Sequence, residues 1–249
     1  MKKTSFLFIT TLVLGLYGCG NKIIETETFC FENISNDSIN FSANICVELT
    51  VKGKKAVVDS INKILMKEIL NVDYEGFTPS DAIKEHIVKA LEDYHILIKE
   101  LPDDALTREH YENINGLVTF LNADYLCYRY DSELYSGGAH PLENTSYIVF
   151  DLKTGQKMTE EELCKSNLQD DLSKIVAEIL SDNSLYPENA TYDLEALKLN
   201  GNFSFEPDSL IYTFNEYEIA PYSSGKIDVK IPYTKIKDII KIDLSQLVK

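Results

Sequence analysis

The sequence lacks the short motifs that most directly indicate catalysis or a metal centre. It contains no GxSxG, no HExxH and no CxxC spacing, so nothing supports a nucleophile elbow, a zinc-protease site or a structural zinc site. His86 and His95 lie nine positions apart on one predicted helix, which is not the spacing of paired ligands, and we interpret them as solvated or packed. We therefore expect no catalytic residue, no cofactor and no metal.

Basic residues are also scarce. The chain has 24 lysines and arginines against 40 aspartates and glutamates, a formal charge of −16. Such a charge repels nucleic acid and anionic lipid and attracts cationic proteins at low salt. We expect no nucleic-acid partner, and a solvated acidic surface that keeps the protein soluble is the simpler interpretation of the charge.

No apolar run after residue 18 is long enough to cross a membrane. The first 18 residues form a targeting segment, with Lys2 and Lys3 preceding a short apolar stretch from Phe6 to Leu14. The following Leu16-Tyr17-Gly18-Cys19 resembles a bacterial lipobox, in which the cysteine is lipidated and becomes the first mature residue. A plain secretory signal with an incidental cysteine is the alternative.

A lipidated Cys19 would anchor the protein to a membrane of the bacterial cell envelope. Gly20 follows it, and by resemblance to the common sorting rule the absence of aspartate there permits transfer to the outer membrane. Removal of the segment leaves 22 basic and 40 acidic residues, a charge of −18. We expect residues 19–28 to form a tether.

Four cysteines remain in the mature chain: Cys30, Cys46, Cys127 and Cys164. Export to an oxidising compartment makes disulfides plausible, and four cysteines allow three connectivities. A hairpin turn at Asn36-Asp37-Ser38 would bring Cys30 opposite Cys46, which favours that pair and leaves Cys127 with Cys164. Buried free thiols are the alternative.

Hydrophobic periodicity predicts both helices and strands. Apolar and polar residues alternate from Phe41 to Val51, which is typical of a half-buried strand, and helical spacing runs through 54–70 and from Pro79 to about Lys99. A capping box at Thr159 and Glu162 predicts a helix to about residue 181. The other predicted strands are 29–34, 111–122, 125–134, 144–152, 203–205, 210–214 and 226–231, with extended chain at 217–221 and a short helix at 233–240. These elements predict an α+β fold of antiparallel sheets with helices packed on one face.

A glycine-rich corner is the most distinctive stretch of the chain. Tyr135-Ser136 leads into Gly137-Gly138-Ala139-His140-Pro141, where two glycines supply backbone angles that other residues reach only at a cost and the proline restricts the residue before it. The bend should therefore present His140 in one pose. Tyr125, Tyr128 and Tyr130 precede it, and they would fill a sheet face or form a sugar-stacking or protein-docking surface.

Two further stretches accompany this corner: the turn at Phe150-Asp151-Leu152-Lys153-Thr154-Gly155 and the segment Ile219-Ala220-Pro221-Tyr222 with Gly225. Together the three resemble the extracytoplasmic domain of RsiV-type anti-sigma factors, which are known as receptors for lysozyme. The preceding segment, 29–130, is similar to the N-terminal partner of that domain in the peptidoglycan deacetylase PdaC. The resemblance implies two closely joined α+β halves, 29–130 and 131–249. Residues 1–249 show no counterpart of the sigma-binding segment, the transmembrane helix or the metal-dependent catalytic domain of those proteins, so we expect no anti-sigma activity and transfer no catalytic residue.

The resemblance implies a non-catalytic module that binds a cationic protein such as a lysozyme, or a cell-wall glycan such as peptidoglycan. We expect Tyr135, Gly137, Gly138, His140 and Tyr222 to form its recognition surface. An enzyme centred on His140, with Glu143 or Asp151 as an orienting group, is an alternative. A structural lipoprotein whose corner only closes the fold is another, and exposure of the corner separates it from a binding module.

Overall fold

The computed structural model describes residues 24–34, 41–73, 78–100, 109–165, 169–182 and 197–247. Helices and two sheets make up these residues, and the predicted α+β class is confirmed. The lipobox with Cys19 and the predicted turn at Asn36-Asp37-Ser38 lie outside the described residues.

The described elements follow one another along the chain. The strands are β1 (Glu25–Ile34), β2 (Phe41–Lys52), β3 (His110–Leu121), β4 (Tyr125–Ser136), β5 (Leu142–Asp151), β6 (Gln156–Lys157), β7 (Phe203–Phe205), β8 (Ser209–Phe214) and β9 (Ile227–Pro232). The helices are α1 (Lys55–Leu70), α2 (Pro79–Glu100), α3 (Glu160–Leu163), α4 (Gln169–Leu180) and α5 (Tyr233–Ile236), with short 3₁₀ turns at Tyr222–Ser224 and Leu244–Gln246.

The first six strands form one sheet in the order β1-β2-β3-β4-β5-β6. Strands β1 and β2 pair antiparallel, but β2 and β3 run parallel, with Phe41 opposite His110. The expectation of wholly antiparallel sheets was therefore wrong at this pair. The chain between β2 and β3 contains α1 and α2, and this crossover returns the chain to the same end of the sheet, as parallel pairing requires.

A second sheet has the order β7-β8-β9, all antiparallel. The predicted β7–β8 hairpin is confirmed, and its turn is closed by the Glu206 amide, which donates to the Ser209 carbonyl at 2.9 Å. The hairpin between β3 and β4 is also confirmed: the Asn122 side-chain oxygen accepts bonds from the amides of Asp124 and Tyr125. The turn between β5 and β6 places Gly155 at a φ of 74°, in the left-handed region predicted for it.

The internal contacts divide the chain into two units. Unit 1 comprises residues 1–117 and 130–143, and unit 2 comprises residues 118–129 and 144–249. Along the sequence, the chain changes between the two units after residues 117, 129 and 143.

In unit 1, helices α1 and α2 lie against β1 and β2. The inward positions of β2 are almost fully buried, as alternation predicts, and so is the apolar stripe of α1 that includes Ile61 and Leu65. Asn62 joins the two elements from within this core. Its side-chain oxygen accepts bonds from the amide and hydroxyl of Thr50, at 3.1 and 2.8 Å, and its amide donates to the Thr50 carbonyl at 2.8 Å.

In unit 2, the faces of β7, β8 and β9 pack with helices α4 and α5 around one apolar core. Asn202, just before β7, bonds through its side chain to backbone groups of β5 and β8. It donates to the carbonyls of Thr145 and Thr213 at 2.8 and 3.0 Å, and it accepts from the Tyr147 amide at 2.7 Å. The capping box at Thr159 and Glu162 is confirmed.

Three local predictions were wrong. Residues 25–28 of the predicted tether belong to β1, where Thr26 is buried and bonds to Glu48. The helix predicted to continue to residue 181 is interrupted after Leu163, where Cys164 turns extended and bridges to Ile240; its second part is α4, which ends at Leu180 close to the predicted position. The chain from Tyr217, predicted to be extended, forms a turn in which the Tyr217 amide donates to the Ala220 carbonyl.

Candidate functional site

Unit 1 contains a cavity of about 440 Å³ that is partly open to solvent. Its walls come from the start of β2, the middle of α2, the start of β3 and the end of β4. This volume falls within the roughly 300–1,000 Å³ range of small-molecule sites in proteins. The apolar part of the lining consists of Phe41, Leu70, Ala90, Tyr94, Leu97, Leu134 and Tyr135.

Helix α2 supplies one continuous wall of the cavity. It begins at Pro79, where the hydroxyl of Thr78 accepts from the Asp81 amide at 3.2 Å, as the start signal predicts. His86, Ala90 and Tyr94 then recur at intervals of four residues and face the same space. The helical period therefore places a polar ring, a small residue and an aromatic ring in one row.

His86 forms a charged pair with Glu112 at the cavity wall. Its Nδ1 lies 2.8 Å from the Leu70 carbonyl oxygen and its Nε2 lies 3.0 Å from the Glu112 carboxylate. When the ring is protonated, each nitrogen donates to one of these two acceptors. Burial acts to lower the pKa of His86, but the bond to Glu112, its charge and the Leu70 carbonyl together outweigh burial and raise the pKa.

His110 also lines the cavity. Unlike His86, it has a lowered pKa and a ring nitrogen without a described hydrogen-bond partner. It is 2% exposed, and burial lowers its pKa, so the ring is neutral. Its Nε2 is buried and has no hydrogen-bond partner among the described residues. The ring lies edge-on to Tyr94, with 5.0 Å between centroids. Such an orphaned polar atom costs about 1–3 kcal/mol, so it calls for an explanation.

Tyr135 connects the cavity with the glycine-rich corner. Its ring lies 5.6 Å from that of Tyr111, and its hydroxyl donates to the Gly138 carbonyl at 3.0 Å. The Tyr111 hydroxyl donates in turn to Glu133 at 2.7 Å, and this bond, then burial, raises the pKa of Tyr111 to about 12. Tyr135 therefore lines the cavity on one side and fixes the corner on the other.

The corner itself is exposed from Gly138 to His140. Gly137 is buried and has a φ of 75°, whereas a Cβ on Gly138 would meet nothing nearer than the His140 carbonyl, at 4.0 Å. Only the first glycine is thus required by the backbone, and the expectation that both are needed was wrong. The Nδ1 of His140 lies 3.0 Å from the Pro141 carbonyl, which holds the ring in place.

The predicted recognition residues are divided between the two units. Tyr135, Gly137, Gly138 and His140 belong to unit 1 and surround the corner, whereas Tyr222 belongs to unit 2. Tyr222 opens a 3₁₀ turn and stacks 5.8 Å from the ring of Tyr217, which is 61% exposed. These two tyrosines form an aromatic pair on unit 2.

The cysteines follow only one of the two expected pairings. Cys30 and Cys46 are opposite residues of β1 and β2 and form a disulfide, as expected. Cys127 and Cys164 are free thiols buried in unit 2, so the expected second disulfide was wrong. Burial raises the pKa of Cys127 to about 12 and, with the charge of Glu160, that of Cys164 to about 11.

Sequence reasoning missed the polar core of the cavity. His86 was interpreted as solvated or packed, and His110 and Glu112 were not considered. They come from α2 and β3, which the sequence does not place together without the parallel pairing. Within the described ranges, no three metal-ligating side chains cluster as a metal site, and no helix has the length and apolar character to cross a membrane.

Residues 158–234 match the family model described as "Protein of unknown function (DUF3298)", so the chain carries a DUF3298 domain. This domain lies entirely within unit 2. No curated protein matches the chain.

Two solved structures of DUF3298 family members are similar to the whole chain. One is BF2082 from Bacteroides fragilis, at 18% identity and a TM-score of 0.70, with 98% of each chain covered. The other is PA4972 from Pseudomonas aeruginosa PAO1, at 14% identity and a TM-score of 0.57, covering 98% of this chain and 97% of that one. At these identities the likeness concerns the fold alone.

Proposed function

We propose that this chain with its DUF3298 domain is a non-catalytic binding module, anchored through a lipid on Cys19 in the bacterial cell envelope and sorted to the outer membrane. The observation that carries the proposal is the exposure of the glycine-rich corner beside a tyrosine-lined cavity. A corner that only closes the fold would be covered. An exposed, rigid bend held by Tyr135 and by the Pro141 carbonyl is suited to recognition.

The first partner we propose is a cationic protein such as a lysozyme. The charge of −16 supports this choice, since 40 acidic residues exceed what 24 basic residues can neutralise. Many described lysines are already engaged in ion pairs, for example Lys52 with Glu25 and Lys230 with Glu206. The surplus charge would mainly raise the association rate. The resemblance to RsiV-type extracytoplasmic domains supports the same partner.

Binding to a lysozyme at low and high salt tests this proposal. A chain beginning at Gly20 keeps every described residue and is suited to the assay. We expect binding that weakens as salt rises, and at least a tenfold loss for His140→Ala. The matched variant His95→Ala, an exposed histidine of α2, should bind as the unaltered chain does. Absence of binding at both salt concentrations would rule out this partner.

A cell-wall glycan is a second candidate, and the cavity favours it. Three aromatic rings, from Phe41, Tyr94 and Tyr135, line the same space as polar histidines, which is a composition suited to sugars. The resemblance to the N-terminal domain of PdaC supports it as well. Co-sedimentation with insoluble peptidoglycan measures this activity, and a chain that stays in the supernatant would contradict it.

An enzyme centred on His140 remains the alternative hypothesis. His140 is exposed, and one of its ring nitrogens faces a backbone carbonyl, so the bond supports a bracing role better than an acid–base role. If His140→Ala is stable and abolishes a reaction that the unaltered chain catalyses, the enzyme hypothesis replaces the binding module.

A further inference from the structure

We propose that the cavity of unit 1 is a binding site for a neutral saccharide of one or two pyranose rings, with His110 as its central polar contact. This inference rests on the second candidate function, glycan recognition, and names the ligand class and the residues that would hold it. It concerns only the cavity between β2, α2, β3 and β4.

The unpaired nitrogen of His110 is the first step of the argument. The residue is 2% exposed and lines the cavity, and its Nε2 has no partner in the described part of the chain. Native proteins rarely leave a buried polar atom unpaired, and each exception calls for an explanation such as a bound water, an ion or a functional role. A ligand that enters the cavity and bonds to Nε2 would satisfy it.

The chemistry of the lining selects hydroxyl groups. Nε2 of a neutral imidazole either donates or accepts, depending on the tautomer, and a hydroxyl can satisfy both. The Glu112 carboxylate accepts a bond from His86 and has further lone pairs for ligand donors. A ligand with several hydroxyls therefore complements His110 and Glu112 at once, whereas a ligand without donors does not.

The charges of the lining favour a neutral ligand. The imidazolium of His86 stands against the carboxylate of Glu112 at 3.0 Å, and Lys89 and Asp93 add one charge of each sign along α2. With His86 protonated, the lining carries two charges of each sign and therefore no net charge. An anion or a cation would lose its hydration without gaining a net opposite charge.

The aromatic residues give the ligand its shape. The ring centroids of Phe41 and Tyr94 lie 5.4 Å apart. Tyr135, near the end of β4, lines the same cavity. The flat C–H face of a pyranose packs on such rings while its hydroxyls point to the polar groups. A volume of about 440 Å³ is in the range of small-ligand sites.

The test uses the chain from Gly20 and two probes, di-N-acetylchitobiose and cellobiose, in isothermal titration calorimetry. We expect one of them to bind, and His110→Phe to weaken binding at least tenfold. Phenylalanine keeps a ring of similar size and removes the nitrogen, so the melting temperature should be unchanged or higher, which shows that the variant is folded. His95→Phe, the same change at an exposed position of α2, should leave the affinity unchanged.

Each outcome bears on the proposal. If neither probe binds, or if His110→Phe binds as tightly as the unaltered chain, the cavity is not a saccharide site. If peptidoglycan still sediments the chain in either case, glycan recognition survives at another surface and only the cavity assignment fails. If the chain also fails to sediment with peptidoglycan, both the inference and the second candidate function are wrong. The proposal would also be overturned if an apolar ligand without hydroxyls displaced the saccharide and bound the unaltered chain and His110→Phe with equal affinity.

Discussion

The imidazolium of His86 and the carboxylate of Glu112 connect helix α2 to strand β3 across 3.0 Å. The second ring nitrogen of His86 donates to the Leu70 carbonyl, at the end of α1. One side chain thereby joins three elements of unit 1 at the edge of the cavity. Because the pair needs a protonated ring, its contribution to stability depends on pH.

We expect the stability contributed by His86 to fall as pH rises. The pKa of His86 is raised in the folded state, so its contribution is complete below the unfolded pKa of about 6.5 and is lost as pH rises through the higher folded value. The facing charges are Glu112 on β3, which raises the pKa, and Lys89 on α2, which lowers it.

Urea unfolding of the unaltered chain and of His86→Gln, between pH 5.5 and 8.5, measures this dependence. The difference in unfolding free energy should be about 1–2 kcal/mol at the acidic end and should shrink above pH 6.5. His95→Gln serves as the control on the same helix. A difference that is constant or grows with pH would contradict the charged pair.

The two glycines of the corner should respond differently to alanine. Gly137 has a φ of 75°, where a Cβ costs roughly 1–2 kcal/mol, so Gly137→Ala should lower the unfolding free energy by that amount. Gly138 has room for a Cβ, and Gly138→Ala should stay within about 0.5 kcal/mol of the unaltered chain. Equal losses at both positions, measured by chemical denaturation, would contradict the corner geometry.

The two free thiols should be unreactive towards thiol reagents in the folded protein. Cys127 and Cys164 are buried, and their raised pKa values keep them protonated at neutral pH. A chain beginning at Gly20 should therefore show no rapid reaction with a thiol-specific disulfide reagent. After unfolding without reductant, it should show two thiols, because Cys30 and Cys46 remain bonded. Four thiols, or none, would contradict the cysteine arrangement.

Asn202 should matter more for stability than an ordinary surface residue. Its three bonds to Thr145, Tyr147 and Thr213 satisfy backbone groups of two strands. We expect Asn202→Ala to lower the unfolding free energy by about 1–2 kcal/mol, because the Tyr147 amide loses its acceptor, whereas the carbonyls of Thr145 and Thr213 keep bonds from Asn215 and Asn200. Asn115→Ala, at an exposed position of β3, should cost less than about 0.5 kcal/mol. Similar losses for the two variants would contradict this role of Asn202.

The sequence predicted those features that depend on neighbouring residues. Alternation in β2, the start signal at Pro79 and the capping box at Thr159 and Glu162 each act within a few positions, and each is found. The Cys30–Cys46 disulfide also follows from a local hairpin.

Features set by distant residues were not predictable in this way. The parallel pairing of β2 and β3 depends on the path of the chain through α1 and α2. The spacing of hydrophobic residues in a strand does not indicate the direction in which the strand pairs with its neighbour. The cavity depends on that pairing, because it brings His110 opposite Phe41 and Glu112 within reach of His86. The break at Cys164 likewise results from a bridge to Ile240, far along the chain.

The parallel contact between β2 and β3 also has a consequence for the order of folding. Strands β1 (Glu25–Ile34) and β2 (Phe41–Lys52) pair although they are close in sequence, whereas His110 can meet Phe41 only after residues 42–109 have been traversed. Closing that long loop costs more chain entropy than closing the hairpin. We therefore expect the cavity of unit 1 to be assembled late, after β1 and β2 have paired and both helices have formed.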